Sequence, residues 1–168
     1  ALDDANVLLD LAPGLALAKL RRAEANMMLS NWGDSKKDLE QIVADAPHHH
    51  HALTQLAACY ISMERPEKAE APLNEALRLA PEHTDAWHQR GLLYLDWGRE
   101  EAALNDFEAA VRCDGNHLDA RLHIAAIHHE AGRFIEASGA WKGVLAIEPE
   151  HVVARRRREE CDMALATM

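Results

Sequence analysis

Four prolines of this chain lie on an evenly spaced grid. The grid points are occupied by Pro13, Pro47, Pro81 and Pro149, with Gly115 at the one point that lacks a proline. Both residue types interrupt helices, so each grid point predicts a loop. The interval, roughly 34 residues, is typical of helical hairpins stacked side by side. We therefore expect a long surface lined by successive repeats rather than a catalytic pocket.

The grid divides residues 1–168 into the parts of a single solenoid domain. We expect a partial repeat at residues 1–15 and a polar capping helix at residues 152–168, since the end of a solenoid must be soluble. The full repeats are 16–49, 50–83, 84–117 and 118–151. Residues 1–12 resemble the second helix of a repeat, so we expect the native protein to continue upstream of Ala1.

Three columns of the repeat combine small and large side chains. Position 8 holds Ala23, Ala57, Gly91 and Ala125, and position 20 holds Ser35, Ala69, Ala103 and Ala137. Position 24 holds Leu39, Leu73, Phe107 and Trp141. Small residues let two helices approach closely, and the large residues fill the groove between them. Each repeat is therefore predicted to be a pair of packed helices.

The helix ends are also predicted by local signals. In the repeat 84–117, Thr84 is placed to cap the first helix and Gly98 to end it. A second helix is predicted from about Glu100 to Arg112. In the repeat before it, Pro66 stands where a helix can begin without losing a hydrogen bond.

The first full repeat departs from this arrangement. Its turn signal, at residues 31–34, comes three residues later than Gly98 and Gly132 do in their own repeats. Because the period is kept, we expect the first helix to be about one turn longer and the second about one turn shorter.

These motifs resemble the tetratricopeptide repeat, whose pattern is W-x₂-L-G-x₂-Y…A-x₃-F…P. The residues that carry the resemblance are Trp87, Arg90, Gly91, Tyr94, Ala103 and Phe107, then Leu56, Ala57, Tyr60, Ala69, Leu73 and Pro81, then Ile124, Ala125, Gly132, Ala137, Trp141 and Pro149. Arg90 replaces the leucine of the pattern. The resemblance covers nearly the whole chain and implies an all-α fold, a right-handed α-solenoid of about ten helices in antiparallel pairs.

The resemblance also implies where a partner binds. In this family the first helices of successive repeats line a concave surface that takes an extended peptide or a partner helix. Carried over by repeat position, the expected partner-binding residues are His51, Thr54, Gln55, His88, Gln89, Leu92, Leu122, His123, Ala126, His129 and Arg156. Polar side chains around small apolar patches suit backbone amides with shallow side-chain pockets.

Position 6 is the most informative column of that surface, since it holds Arg21, Gln55, Gln89 and His123. A carboxamide both donates and accepts hydrogen bonds, so a row of amides suits the main chain of a peptide of any sequence. Such rows resemble the polar ladders of some family members. The alternative is that these side chains are solvated residues on an exposed face.

Eleven histidines raise the question of a metal site. Position 34 holds His49, His83, His117 and His151, one in each repeat at the loop before a first helix. Imidazoles in different repeats are not expected to meet at one ion, so we interpret the column as helix-boundary chemistry. His51, His88 and His123 have no Cys or carboxylate to complete a tetrahedral shell, so we expect no metal and no cofactor. Adventitious metal at residues 48–51, or pH-dependent partner binding, are the alternatives.

Charge and composition narrow the classes of function. A net charge of −10 disfavours general binding to nucleic acid or anionic membranes. No apolar run reaches the roughly 20 residues of a membrane span. Cys59, Cys113 and Cys161 lie in helical patterns without a CxxC motif, which indicates free thiols in the cytoplasm, with the bacterial periplasm as the alternative.

The basic run at residues 155–158 is interpreted as a solvated helix rather than a patch for an acidic partner. The expected i,i+4 ion pairs are Arg155 with Glu159, Arg156 with Glu160, and Arg158 with Asp162. No Gly-x-Ser-x-Gly motif or phosphate loop is present, and no base stands at a defined distance from a cysteine, so we expect no enzymatic activity.

The sequence therefore predicts a non-catalytic interaction scaffold that binds a peptide or partner protein in its groove. A structural or self-association module is the alternative, because the open N-terminal half-repeat exposes Val7, Leu8 and Leu11. A regulatory domain attached to an enzyme is a further alternative.

Overall fold

The computed structural model describes residues 2–11 and 15–167, with residues 9–11 described by their backbone alone. The grid residue Pro13 and the side chain of Leu11 lie outside the described residues. The described chain contains ten α-helices and no strand. The helices are α1 (Leu2–Leu11), α2 (Ala16–Met28), α3 (Trp32–Asp45), α4 (His50–Ser62), α5 (Glu70–Leu79), α6 (Thr84–Asp96), α7 (Glu100–Cys113), α8 (Leu118–Glu130), α9 (Phe134–Ile147) and α10 (Val152–Ala166).

Helix bounds recur along the chain with the period of the proline grid. The first helices of the full repeats begin at residues 16, 50, 84 and 118, and α10 begins one period later at residue 152. Second helices begin at residues 32, 100 and 134, and a 3₁₀ turn, Pro66–Lys68, takes the equivalent place before α5. Pro66 is tolerated there because a backbone N–H in the first turn of a helix has no acceptor within the helix, so its absence costs no hydrogen bond.

The predicted one-turn shift in the first full repeat is wrong. Its left-handed turn residue is Ser30, with φ at 59°, and not the glycine three residues later. Gly98 and Gly132 occupy the same repeat position, with φ at 68° and 70°, and Glu64 does so with φ at 57°. The hairpin geometry therefore requires a left-handed residue at this position in every repeat, even where no glycine marks it.

Glycine at these turns should stabilise the protein. In Glu64→Gly we expect the free energy of unfolding to rise by about 1 kcal/mol, because a side chain in the left-handed region costs roughly 1–2 kcal/mol and glycine avoids that cost. Met63, which precedes it with φ at −90°, supplies the matched control. Met63→Gly should destabilise, and urea unfolding that shows equal signs for the two variants would contradict the assignment.

The core follows the predicted columns, which confirms the paired-helix interpretation. The residues at positions 8, 20 and 24 are buried in all four full repeats. The chain forms two compact units, residues 1–89 and residues 90–168. One core cluster in the first unit is centred on Ala23, Leu39 and Ile42, and one in the second unit is centred on Ala137, Trp141 and Val144.

Histidines at position 34 cap first helices, as the boundary interpretation predicted. The Nδ1 atoms of His49, His117 and His151 accept hydrogen bonds from the backbone N–H groups of Ala52, Ala120 and Ala154 at 3.2, 3.2 and 3.1 Å. At α6 the His83 carbonyl accepts the first helical hydrogen bonds, from Ala86 and Trp87. His83 therefore stands at the boundary, and the predicted cap at Thr84 is wrong by one position.

Candidate partner-binding surface

A polar cluster joins α2 to α4 in the first unit. Gln55 Nε2 lies 3.4 Å from Glu24 Oε1 and 3.0 Å from His51 Nε2, and Arg21 donates to the same carboxylate at 2.9 Å. Burial raises the pKa of Glu24, but hydrogen bonds from Arg21 and Gln55 outweigh it and hold that pKa below its usual range. Glu24 is thus a carboxylate at neutral pH, and it fixes the orientation of the Gln55 amide.

Two amide oxygens in the first unit lack a donor. Gln55 Oε1 and Gln89 Oε1 are buried, and no hydrogen-bond partner reaches either atom. Both glutamines are half-buried and occupy position 6 of successive first helices, α4 and α6. A buried carbonyl oxygen without a donor is uncommon in folded proteins. These two atoms are therefore the strongest sign of a ligand site among the predicted residues.

Thr54 does not belong to an accessible surface, which corrects the sequence-based assignment. Its side chain is only 2% exposed, and its hydroxyl donates to the His50 carbonyl at 3.0 Å. A threonine in a helix commonly satisfies its hydroxyl in this way, one turn back. The other predicted residues of α4 and α6, His51, His88 and Leu92, are half-buried.

In the second unit, α8 carries three predicted residues that are partly used for packing. Leu122 packs against the core cluster, and the His123 ring stacks on Phe107 with centroids 4.7 Å apart. Ala126 is half-buried. Burial lowers the pKa of His123, although the Asp119 carboxylate acts in the opposite direction. His123 therefore has a structural contact that the position-6 interpretation did not include.

His129 was assigned to the partner surface, yet it contacts a cysteine. Its Nδ1 lies 3.2 Å from the Cys161 Sγ, and its Nε2 lies 3.3 Å from the Arg157 guanidinium and 3.7 Å from the Glu160 carboxylate. The expectation that no base stands near a cysteine is thus wrong. Burial raises the pKa of the Cys161 thiol, with Asp162 and Glu160 adding to the effect. A buried neutral thiol is a poor nucleophile, so the contact is structural.

The basic run on α10 forms ion pairs largely as predicted. Arg156 is exposed and pairs with Glu160 at 3.4 Å, and Arg158 lies 3.7 Å from Asp162. Arg155 departs from the prediction, since it pairs with Glu150 at 3.0 Å instead of with Glu159. It also donates to a loop carbonyl before the helix, which fixes it at the helix start.

Three imidazoles meet where α4 begins beside the loop that follows α5. The His83 ring lies 5.1 Å from the His50 ring and 6.1 Å from the His51 ring, and the three border a pocket of about 450 Å³ with Glu82 and Asp85. Only His83 of these three belongs to the position-34 column, so the contact does not bring two histidines of that column together. Within the described residues, however, no three His, Cys, Asp or Glu side chains are placed to hold one metal ion.

Acidification should destabilise the fold through the half-buried His123. Because the pKa of His123 lies below its ordinary value of 6.5, the unfolded chain binds the proton more readily than the folded chain. The free energy of unfolding is therefore expected to fall as the pH drops below about 6.5 towards 5. His123→Gln gives position 6 the residue that it has in two other repeats. The variant should show a weaker dependence of the free energy of unfolding on pH. Equal slopes for variant and wild type in urea unfolding would contradict it.

Comparison with protein families supports the repeat assignment. A family model described as tetratricopeptide repeat (TPR) matches residues 56–129. That segment spans α5, α6 and α7, together with the second half of α4 and nearly all of α8. Among curated protein sequences no significant match is found.

Solved structures share the fold over most of the chain. MamA is 19% identical, with 89% of this chain and 87% of that chain aligned and a TM-score of 0.79. A thermophilic TPR protein of Thermus thermophilus is 21% identical, with 96% and 89% aligned and a TM-score of 0.74. YrrB, described as a TPR protein with an unusual peptide-binding site, is 20% identical, with 94% and 81% aligned and a TM-score of 0.73.

Identities at this level establish the fold alone, a right-handed α-solenoid of antiparallel helix pairs. None of the described helices is both long and apolar enough to cross a bilayer. TPR folds generally serve as non-catalytic protein-interaction scaffolds. The repeat motifs, the periodic helix bounds, the family-model match over residues 56–129 and the shared fold all show that the chain is similar to tetratricopeptide repeat proteins and has their fold.

Proposed function

We propose that this chain is a scaffold that holds an extended peptide segment of a partner protein against the first helices of its repeats. The observation that carries the proposal is the pair of buried oxygens, Gln55 Oε1 and Gln89 Oε1, which have no donor. An unsatisfied buried acceptor costs about 1–3 kcal/mol. A backbone N–H of a bound peptide supplies the missing donor at each position.

The chemistry of the surface favours recognition of a main chain over recognition of one particular side chain. The Gln55 Nε2 is held by Glu24 and His51, whereas Gln89 also carries an Nε2 donor. The pair can therefore accept from two backbone N–H groups of an extended peptide and donate to one of its C=O groups. Selectivity then comes from the flanking charges, the exposed Arg21 guanidinium and the Glu24 carboxylate. YrrB, a protein of similar fold, is described as having an unusual peptide-binding site, which is in line with a peptide ligand.

A displayed library of random peptides of about 12 residues is a suitable probe, since it requires no known partner. Peptides selected on the wild-type chain should bind the double variant Gln55→Ala/Gln89→Ala at least about tenfold more weakly, because each lost hydrogen bond is worth roughly 1 kcal/mol. The melting temperature should be nearly unchanged. Gln41, an exposed glutamine on the second helix α3, gives the matched control Gln41→Ala.

Two results would contradict the proposal. If the library yields no binder on the wild-type chain, the peptide-scaffold function is wrong. If selected peptides bind the double variant as tightly as they bind wild type and Gln41→Ala, the peptide is held elsewhere and the amide pair is not its site.

We also place the protein in a reducing compartment, the cytoplasm, with the bacterial periplasm as the alternative. All three cysteines are free, and Cys59 and Cys161 are buried in the cores of their units. Oxidising compartments favour paired cysteines instead.

A further inference from the structure

A polar pocket lies in the first unit, where the start of α4 faces the loop that leads from α5 into α6. It has a volume of about 450 Å³. Its polar lining consists mainly of three histidines, His50, His51 and His83, and two carboxylates, Glu82 and Asp85. No lysine or arginine lines it. We refer to these five residues and the space between them as the acidic pocket.

The two carboxylates of the acidic pocket have no basic side chain of this chain beside them. Glu82 and Asp85 are exposed, and within the described part of the chain neither carboxylate forms a hydrogen bond or an ion pair. Glu75 on α5, by contrast, pairs with Arg78 at 2.7 Å. The acidic pocket therefore carries negative charge that the protein itself leaves without a counter-charge.

The imidazole at the centre of the acidic pocket does not supply that counter-charge. The His83 ring lies 5.1 Å from the His50 ring and 6.1 Å from the His51 ring. Burial lowers the pKa of His83, and repulsion by a charge on His50 or His51 adds to the effect, although Asp85 and Glu82 act in the opposite direction. His83 is therefore neutral at pH 7 and does not cancel the charge of the two carboxylates.

His83 also differs from the other histidines of the position-34 column. His49, His117 and His151 cap a helix with Nδ1, whereas at α6 the His83 carbonyl accepts the backbone N–H of Ala86. The His83 Nε2 is buried and has no hydrogen-bond partner among the described residues. A neutral imidazole has one nitrogen that accepts a hydrogen bond. Because the His83 ring is not used as a cap, its Nε2 is available to an N–H group of a ligand.

The acidic pocket adjoins the two glutamines that hold a peptide in the proposed function. His51 precedes Gln55 by four residues on α4, and Asp85 precedes Gln89 by four residues on α6. Residues four apart lie on the same face of a helix, roughly 6 Å apart along its axis. His51 also contacts Gln55 directly, since their Nε2 atoms are 3.0 Å apart. A peptide bound to the amide pair therefore has the acidic pocket within reach of one of its side chains.

We propose that the acidic pocket receives a basic side chain of the bound peptide, an arginine or a lysine. The inference rests on the proposed peptide-binding function and adds the chemical class of one peptide residue. Glu82 and Asp85 supply the counter-charge, and the neutral His83 imidazole accepts an N–H group without adding positive charge. A volume of about 450 Å³ is sufficient for such a side chain, since it is similar to that of small-molecule pockets. An acidic side chain is disfavoured at the same place by repulsion between like charges.

Removal of charge from the peptide and from the pocket tests this inference on the full 168-residue chain. Peptides selected on the wild-type chain from the displayed random library should share a basic residue, and replacing it by glutamine should weaken binding roughly fivefold. Glu82→Gln/Asp85→Asn should weaken binding of the original peptide by a similar factor. This pocket variant should bind the original and the substituted peptide equally, because the charged contact is already absent.

A pair of exposed carboxylates at the other end of the same two helices supplies the matched control. Glu64 and Glu67 lie between α4 and α5, and the length of α4 places them roughly 20 Å from the start of that helix. Glu64→Gln/Glu67→Gln changes the net charge by the same amount as the pocket variant does. This control variant should bind the selected peptides as tightly as the wild-type chain.

The outcomes separate this inference from the proposed function. If the selected peptides share no basic residue, or bind the pocket variant as tightly as the control variant, the acidic pocket is not a site for a basic side chain. The peptide-binding function stands in both cases when Gln55→Ala/Gln89→Ala still weakens binding. Equal weakening in the pocket and control variants indicates general attraction between opposite charges and also overturns the inference. If no peptide is selected on the wild-type chain, the inference and the proposed function are both wrong.

Discussion

Asp106→Ala is expected to lower the free energy of unfolding by about 3 kcal/mol. The Asp106 side chain is 5% exposed and accepts two hydrogen bonds from Arg90, whose side chain is 17% exposed. Removing the carboxylate leaves a buried guanidinium without its counter-charge, which is the costly way to break such a pair. The loss lies at the low end of the range for buried pairs because water still reaches part of Arg90.

The chain itself supplies the compensating change. The next repeat carries Ile124 and Ala140 at the same two positions, so apolar residues already fit this site in the fold. Arg90→Ile/Asp106→Ala should therefore recover most of the loss, since replacing both members of a buried ion pair by apolar groups is often nearly neutral. Urea unfolding of the two single variants and the double variant gives the coupling energy directly.

The equivalent pair in the first repeat should matter less. The Arg22 side chain is 34% exposed, twice the value for Arg90, so it stays better hydrated when Asp38 is removed. Asp38→Ala should cost less than Asp106→Ala. Equal losses at both sites, or a double variant no more stable than Asp106→Ala, would show that desolvation of the guanidinium is not the cause.

The architecture of the chain could be predicted from its sequence because the repeat records the same packing several times. Alanine at position 8 and a large side chain at position 24 recur, and one occurrence confirms another. The histidine caps were predictable for the same reason. A histidine recurs at the same helix boundary in four repeats, and this recurrence favours helix capping over metal binding. Comparison of the repeats with one another therefore made the helix bounds and the core residues predictable.

The errors arose where one repeat differs from the others. Ser30 and Glu64 adopt left-handed turns that the sequence does not mark, because tertiary packing imposes the backbone angle and the residue tolerates it. Gly33, the glycine of residues 31–34, is therefore not the turn residue of the first repeat. The contact between His129 and Cys161 joins residues far apart in the chain, and a sequence pattern does not report such a distance.

The candidate site was predictable only in outline. The position-6 row was chosen for the chemistry of amides, but a sequence does not reveal which amide atoms remain without partners. Gln55 uses its nitrogen on Glu24 and His51 and leaves its oxygen free, and that asymmetry carries the proposed function. The two arginine–aspartate pairs were visible in principle, since the repeat positions that hold them, 7 and 23, change together from one repeat to the next, although neither column alone indicates a pair.

Gly91→Ala is expected to destabilise the chain by about 1–3 kcal/mol through overpacking. A Cβ atom at Gly91 would lie 2.7 Å from Phe107 Cε1 and 2.9 Å from Phe107 Cδ1, closer than carbon atoms approach in folded proteins. The Phe107 ring cannot easily retreat, because it is fully buried and stacks on the His123 ring. Alanine is otherwise a better helix former than glycine by about 1 kcal/mol. The steric cost of the contact with Phe107 must therefore exceed this gain in helix propensity.

The preceding repeat has alanine at this position together with a smaller side chain at position 24. These residues are Ala57 and Leu73, and both are fully buried. Gly91→Ala/Phe107→Leu reproduces that pair and should recover stability relative to Gly91→Ala, whereas Phe107→Leu alone should lose stability through the cavity it leaves. Opposite effects of the same Phe107→Leu change in the two backgrounds, read from urea unfolding, would establish that glycine is present here to make room for the aromatic ring. Additive effects would instead place the cost of alanine outside this contact.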